Sequence, residues 1–109
     1  MESNQALDAL AALAQETRLA VFRHLVAAGP EGAAAGSIAA ALDVAAPTLS
    51  FHLKELEHAG LIAAKRDGRS IVYSANFSAM RALLSYLMED CCGGRPEICD
   101  LSVEEPCCA

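Results

Sequence analysis

Tryptophan is absent from this 109-residue chain, and aromatic residues make up only 5% of it. A core without large rings has to be filled by aliphatic side chains. Apolar residues reach 54%, but many are alanine, which favours helix and buries little area per residue. Such a core predicts a helical domain that gains from a partner surface, and therefore a dimer. Long apolar runs are lacking too. None approaches the roughly 20 residues that a membrane-spanning helix needs. The opening Met1-Glu2-Ser3-Asn4-Gln5 has no basic region followed by an apolar run, so no signal peptide is expected and the cytoplasm is the expected location. The length suits one small domain with a real core. Cysteine is missing from the first ninety residues, and all five cysteines follow, at Cys91, Cys92, Cys99, Cys107 and Cys108. A disulfide-stapled secreted fold would spread them through its core. Clustered in a reducing compartment, they point to metal binding or redox chemistry.

Positive charge is scarce overall, with a formal net charge of −6. The distribution matters more than the sum. From Glu89 onward, six acids stand against one base, Arg95, giving −5 and leaving −1 for residues 1–88. Within that near-neutral part, Lys65, Arg66 and Arg69 fall within five positions. A local basic patch can bind phosphate even on an acidic chain.

The apolar spacing predicts helices over Ala6–Ala14 (Leu7, Leu10, Leu13) and Thr17–Ala28 (Leu19, Phe22, Leu25, Val26). Gly29-Pro30 should stop the second. A third short helix is expected over Ser37–Leu42. After a turn at Asp43–Ala46, Pro47 suits the first turn of a fourth helix. This one runs to about Ala59, with Leu49, Leu53 and Leu56 as its buried stripe and Thr48, Ser50, His52 and Glu55 off it. Leu61–Lys65 and Ser70–Ser74 read as strands of a hairpin around Asp67-Gly68. Asn76 can cap a last helix from Phe77 to about Cys91, with a stripe of Met80, Leu83, Leu84, Leu87 and Met88, ended by Gly93-Gly94. The expected class is mainly α with a small β-hairpin, divided into a domain over 1–90 and a cysteine-rich tail over 91–109.

Helix, turn, helix and hairpin in that order form a DNA-binding architecture. The first helix of the pair braces the second, which enters the major groove, while the hairpin reaches neighbouring phosphates. Thr48, Ser50 and His52 offer donors and acceptors for base edges or phosphates, and Lys54, Lys65, Arg66 and Arg69 are candidate phosphate contacts. The run Pro47-Thr48-Leu49-Ser50-Phe51-His52-Leu53-Lys54-Glu55-Leu56, then Ala59-Gly60-Leu61-Ile62, Arg66-Asp67-Gly68-Arg69 and Tyr73-Ser74 resembles the ArsR/SmtB family of metal-responsive repressors. Leu13-Ala14 to Arg18-Leu19, with Phe22 and Leu25, resembles the family's opening. The likeness covers roughly residues 6–90. It implies a winged helix-turn-helix with four helices, a hairpin wing and a fifth helix, a homodimer, and repression of transcription relieved by metal. One departure is Ala45, where the family often has a serine that caps the recognition helix. Alanine cannot cap, which leaves Asp43 as a substitute or a helix start weaker by up to about 1 kcal/mol.

Soft thiolates select soft, thiophilic ions. Trivalent arsenic, as arsenite, and antimonite take three thiolates in a pyramid. Cys91, Cys92 and Cys99 supply three sulfurs, and they match the vicinal pair plus third cysteine that some arsenic-responsive members of the family carry after the fifth helix. Adjacent cysteines on an intact helix point about 100° apart, but Gly93-Gly94 ends the helix there and frees them to converge. The family's other sensor sites are missing: Ser37–Val44 has no cysteine and the fifth helix has no histidine. Cys107 and Cys108 are candidate additional thiols. A methylated trivalent arsenic, needing fewer sulfurs, and a thiol redox signal are the alternatives. The negative end of a helix dipole with Glu89, Asp90 and Glu97 disfavours the thiolate that a peroxide sensor needs.

The resemblance thus implies a repressor of an arsenic-resistance operon, bound to an imperfect inverted repeat of double-stranded operator DNA. Its two reading heads are expected about 34 Å apart. The first and fifth helices are expected to form the dimer interface through Leu7, Leu10, Leu83, Leu84 and Leu87. No enzymatic activity and no organic cofactor are expected. A thiol-based arsenate reductase needs an activated cysteine in an anion-binding loop, and this acidic tail has no such loop.

Overall fold

Residues with special backbone or capping chemistry set several of the element ends in the computed structural model, which describes residues 1–88. The order is α1 (Ser3–Leu13), α2 (Glu16–Ala28), β1 (Ala33–Ala34), α3 (Ala35–Leu42), α4 (Ala46–His58), β2 (Ile62–Asp67), β3 (Ser70–Ala75) and α5 (Phe77–Leu87). The Gln15 side chain accepts the Arg18 amide at 2.9 Å and starts α2. Asn76 accepts the Ala79 amide at 3.1 Å, as its position before the last helix predicts, and its Nδ2 donates to the Gly60 carbonyl at 3.0 Å. One side chain therefore caps α5 and ties it to the end of α4.

Pro47 lies in the first turn of α4, and the N-cap, Ala45, makes no side-chain hydrogen bond. Asp43 does not substitute as the cap. It ends α3 instead, in the left-handed region at φ 56°, a conformation that aspartate tolerates better than most residues.

The three strands form one antiparallel sheet in the order β1-β3-β2. The two-residue strand β1 has no signal in the sequence, because its alanines read equally as helix. It is set by pairing with Val72 and Tyr73 of β3. In the hairpin, Asp67 pairs with Ser70, so the turn residues are Gly68 and Arg69 rather than Asp67 and Gly68. Gly68 takes φ 64°, where glycine alone is free of strain.

The core gathers Val21, Phe22 and Leu25 of α2, Ile38 of α3, Leu49, Leu53 and Leu56 of α4, and Leu61 and Ile62 at the start of the hairpin. Two expectations, the Leu19 stripe on α2 and the interface role of Leu83 on α5, differ from the structure, while the exposure of Leu7 and Leu10 on α1 leaves them free for the expected interface. On α1 the residues that face the core are Ala6, Ala9 and Ala12, while Leu7 is 60% and Leu10 39% exposed. The alanine face packs against α2 and α4, and Leu7 and Leu10 lie on the other side of the helix. On α2 the buried stripe contains Val21 rather than Leu19, which is exposed. On α5, Leu83 is taken up by the protomer's own core. It is therefore not available to a partner, whereas Leu84 and Leu87 remain exposed.

Gly32 precedes β1 with φ 72°, and a Cβ there would run into the Tyr73 carbonyl. Gly36, inside α3, faces open space. Gly32→Ala is expected to destabilise the domain by about 1–3 kcal/mol, and Gly36→Ala to stabilise it by about 0.5–1 kcal/mol. Urea denaturation of the two variants checks the opposite signs.

Candidate nucleic-acid interface

The helix α4 has one buried face and one free one. Leu49, Leu53 and Leu56 are at most 2% exposed and anchor it on α2 and α3. Thr48, Ser50 and Lys54 are exposed on the other side, and so are Lys65, Arg66 and Arg69 on the hairpin. A groove of about 320 Å³ brings two of these sets together, with Ser50 of α4 and Arg69 and Ser70 of the hairpin on its walls and Ala35 and Gly36 at the start of α3 closing it. Hydroxyls, a guanidinium and the amide end of a helix are all groups that contact phosphate oxygens. Among the described residues, no group of three or more histidine, cysteine or acidic side chains is placed to hold a metal ion. Among the described residues, likewise, no helix is long and apolar enough to cross a membrane. Cys91, Cys92, Cys99, Cys107 and Cys108, and the boundary expected at residue 90, lie outside the described residues.

His52 departs from the sequence reading. It was expected to face outward, but its side chain is buried at 8% exposure. The reason is a partner distant in sequence. The Arg18 Nε donates to the Ala12 carbonyl at 2.7 Å, and its Nη1 lies 3.2 Å from Nδ1 of His52. Arginine can only donate, so Nδ1 must accept and the ring is neutral with its proton on Nε2. Burial first, and then the Arg18 charge, hold the His52 pKa below the ordinary 6.5, with Glu55 opposing. Arg18 thereby links the C-terminal end of α1 to the middle of α4. His52 is thus largely withdrawn from the exposed side of α4 on which the sequence reading placed it, and periodicity does not find Arg18 because its partners lie on two other helices.

The comparisons with known proteins agree with this geometry. A helix-turn-helix domain model matches residues 13–63. An uncharacterised HTH-type transcriptional regulator, YceK of Bacillus subtilis, is 32% identical over 78 residues, covering 72% of this chain and 77% of that protein. An ArsR-like transcriptional regulator from Rhodococcus sp. RHA1 superposes with a TM-score of 0.68 at 28% identity, over 79% of this chain and 77% of that one. The chain belongs to the ArsR/SmtB family of winged-helix transcriptional regulators. In this ArsR-type regulator, α3 and α4 are the helix-turn-helix pair, α4 is the recognition helix and the β2–β3 hairpin is the wing. A homodimeric winged helix-turn-helix domain from Mycobacterium bovis, a possible ArsR-family regulator, is also similar, with a TM-score of 0.65 and 29% identity over 80% of this chain and 81% of that one.

Two outcomes follow. Arg69→Ala should weaken DNA binding on every sequence tested and lower the slope of log affinity against log salt by about 1 per protomer, as read by fluorescence anisotropy over a salt series. For His52, the folded pKa lies below the unfolded one, so the unfolded chain binds the proton more tightly. The stability tied to the neutral ring is complete above 6.5 and is lost as the pH falls through the lowered folded value. Denaturation at a pH of about 7.5 and about 5.5, on either side of the ordinary histidine value, should show a larger acid loss for the wild type than for His52→Asn.

Proposed function

We propose that this regulator is a homodimeric repressor of an arsenic-resistance operon, released from its operator when trivalent arsenic is gathered by Cys91, Cys92 and Cys99. The observation that carries this reading is the placement of three thiols within nine residues just after the helix that bears Leu84 and Leu87. Soft trivalent ions prefer thiolates and deprotonate them on binding, which suits an acidic setting that would otherwise keep the thiols protonated. Among the chain's structural neighbours is a possible transcriptional regulator for arsenical resistance, at 27% identity over 76% of this chain, with a TM-score of 0.61. Antimonite has the same coordination needs and is a second inducer. Cys107 and Cys108 are accessory thiols outside the trio, in a sensing tail over 91–109 that follows the DNA-binding domain. The protein acts in the cytoplasm, where both operator DNA and reduced thiols are found.

The dimer forms through α1 and α5. Leu7, Leu10, Leu84 and Leu87 are 60%, 39%, 40% and 53% exposed, and burying them against a second copy removes an apolar face from water. With two-fold symmetry, the paired recognition helices meet an imperfect inverted repeat, one helical turn or about 34 Å between half-sites. Ligation of arsenic just beyond α5 reshapes the end of a dimer helix and alters the angle between the reading heads. A coupling of about 1–3 kcal/mol lowers DNA affinity roughly 5- to 150-fold.

Titration of the protein–operator complex with arsenite tests this. The wild type should release DNA, while Cys91→Ser, Cys92→Ser and Cys99→Ser should each bind DNA normally and ignore arsenite. Retention of DNA at saturating arsenite overturns the proposal. Release by peroxide alone, reversed by a thiol reductant, would replace arsenic with a redox signal. Release by a methylated trivalent arsenical that survives Cys99→Ser would narrow the inducer to that species.

A further inference from the structure

An aromatic hydrocarbon, Phe51, stands exposed on the outer side of the recognition helix. At 100° per residue, the buried set Leu49, His52, Leu53 and Leu56 defines one face, and Phe51 and Lys54 straddle the opposite line at about 150° to either side. Phe51 is 57% exposed, and Thr48 and Ser50, which flank it, are exposed too. It stands in the N-terminal half of α4, the half of a recognition helix that meets base edges. Its ring is braced: it lies edge-on to the His52 ring, with centroids 5.3 Å apart and planes at 66°, and His52 is itself held by Arg18. Such an aromatic pair restrains the side chain before any ligand arrives.

We propose that Phe51 is a specificity-determining residue that reads the 5-methyl group of a thymine in the major groove of each operator half-site. This rests on the assignment of α4 as the recognition helix. A phenyl ring can neither donate nor accept a hydrogen bond, so it gains nothing from the amino, carbonyl and ring-nitrogen atoms that the other bases present there. The thymine methyl is the one apolar group on the floor of the major groove, and aromatic and small apolar side chains are the types that meet it. Lys54 beside the ring and Lys65, Arg66 and Arg69 on the wing supply the phosphate contacts that draw the helix into the groove without selecting a base. The ring adds the selection. Burying one methyl is worth about fourfold in affinity per half-site.

The test uses the full-length protein and a duplex enriched from a randomised double-stranded library. Copies of that duplex are made with deoxyuridine at one thymine position at a time, which removes only the methyl. The expected result is one position per half-site where the change weakens wild-type binding about fourfold. Phe51→Ala should bind the thymine duplex correspondingly more weakly and be indifferent to uracil at that position, while Phe51→Leu should keep part of the preference. The ring lies outside the core, so Phe51→Ala should melt like the wild type. The uracil series on unaltered protein stands whether or not that variant folds. The inference is overturned if no thymine shows a loss, if the loss persists undiminished in Phe51→Ala, or if Phe51→Ala dissociates the dimer, which would assign the ring to a protein contact. Failure to enrich or bind any duplex would instead overturn the reading of α4, and the inference with it.

Discussion

The one-sided burial of α4 is the constraint from which the rest of the molecule follows. Leu49, Leu53 and Leu56 are almost wholly removed from water, each contributing about 1.5–3 kcal/mol, so the helix cannot roll about its axis without exposing them. Fixing that face fixes the opposite one, and Phe51, Lys54 and Ser50 point outward as a consequence. Arg18 reinforces the orientation from a second direction. By joining the Ala12 carbonyl to His52, it makes the attitude of the recognition helix depend on where α1 ends. Because α1 also carries exposed Leu7 and Leu10, a displacement on that outer face has a short mechanical route to the reading head.

Much of this was legible in the sequence where local chemistry decides the outcome. Pro47 opens α4, Asn76 caps α5, glycine turns the hairpin and the leucine stripe of α4 faces inward, all as residue type and spacing require. The reading failed where tertiary contacts choose between alternatives that are locally equal. Periodicity identifies an apolar face but not which of two apolar faces the protomer keeps for itself. On α2, Val21 rather than Leu19 is buried, and on α5, Leu83 turns inward while Leu84 and Leu87 do not. The burial of His52 depended on an arginine 34 residues away, which no window along the chain can show. The exposed side chains expected at the interface needed no such partner, and Thr48, Ser50, Lys54, Lys65, Arg66 and Arg69 all lie on the surface.

Charge is partitioned as sharply as burial. The chain is acidic overall, yet the cations that matter are concentrated on the wing and at Lys54, while most of the excess negative charge follows residue 88. A net-acidic chain limits indiscriminate attraction to nucleic acid, so binding to DNA would fall to a few local cations and hydroxyls. The same segregation gathers the acids and the five cysteines into one stretch of the sequence, apart from the residues of α4 and the wing that are candidates for contacting DNA.

The most direct test of this arrangement is a map of backbone amide chemical shifts as duplex DNA is added to the labelled protein. Perturbations should concentrate on residues 47–54 of α4 and 65–70 of the wing, and spare the exposed leucines of α1 and α5. Large shifts confined to α1 and α5, with α4 unmoved, would contradict the claim that burying one face of α4 turns the other into the DNA-reading surface.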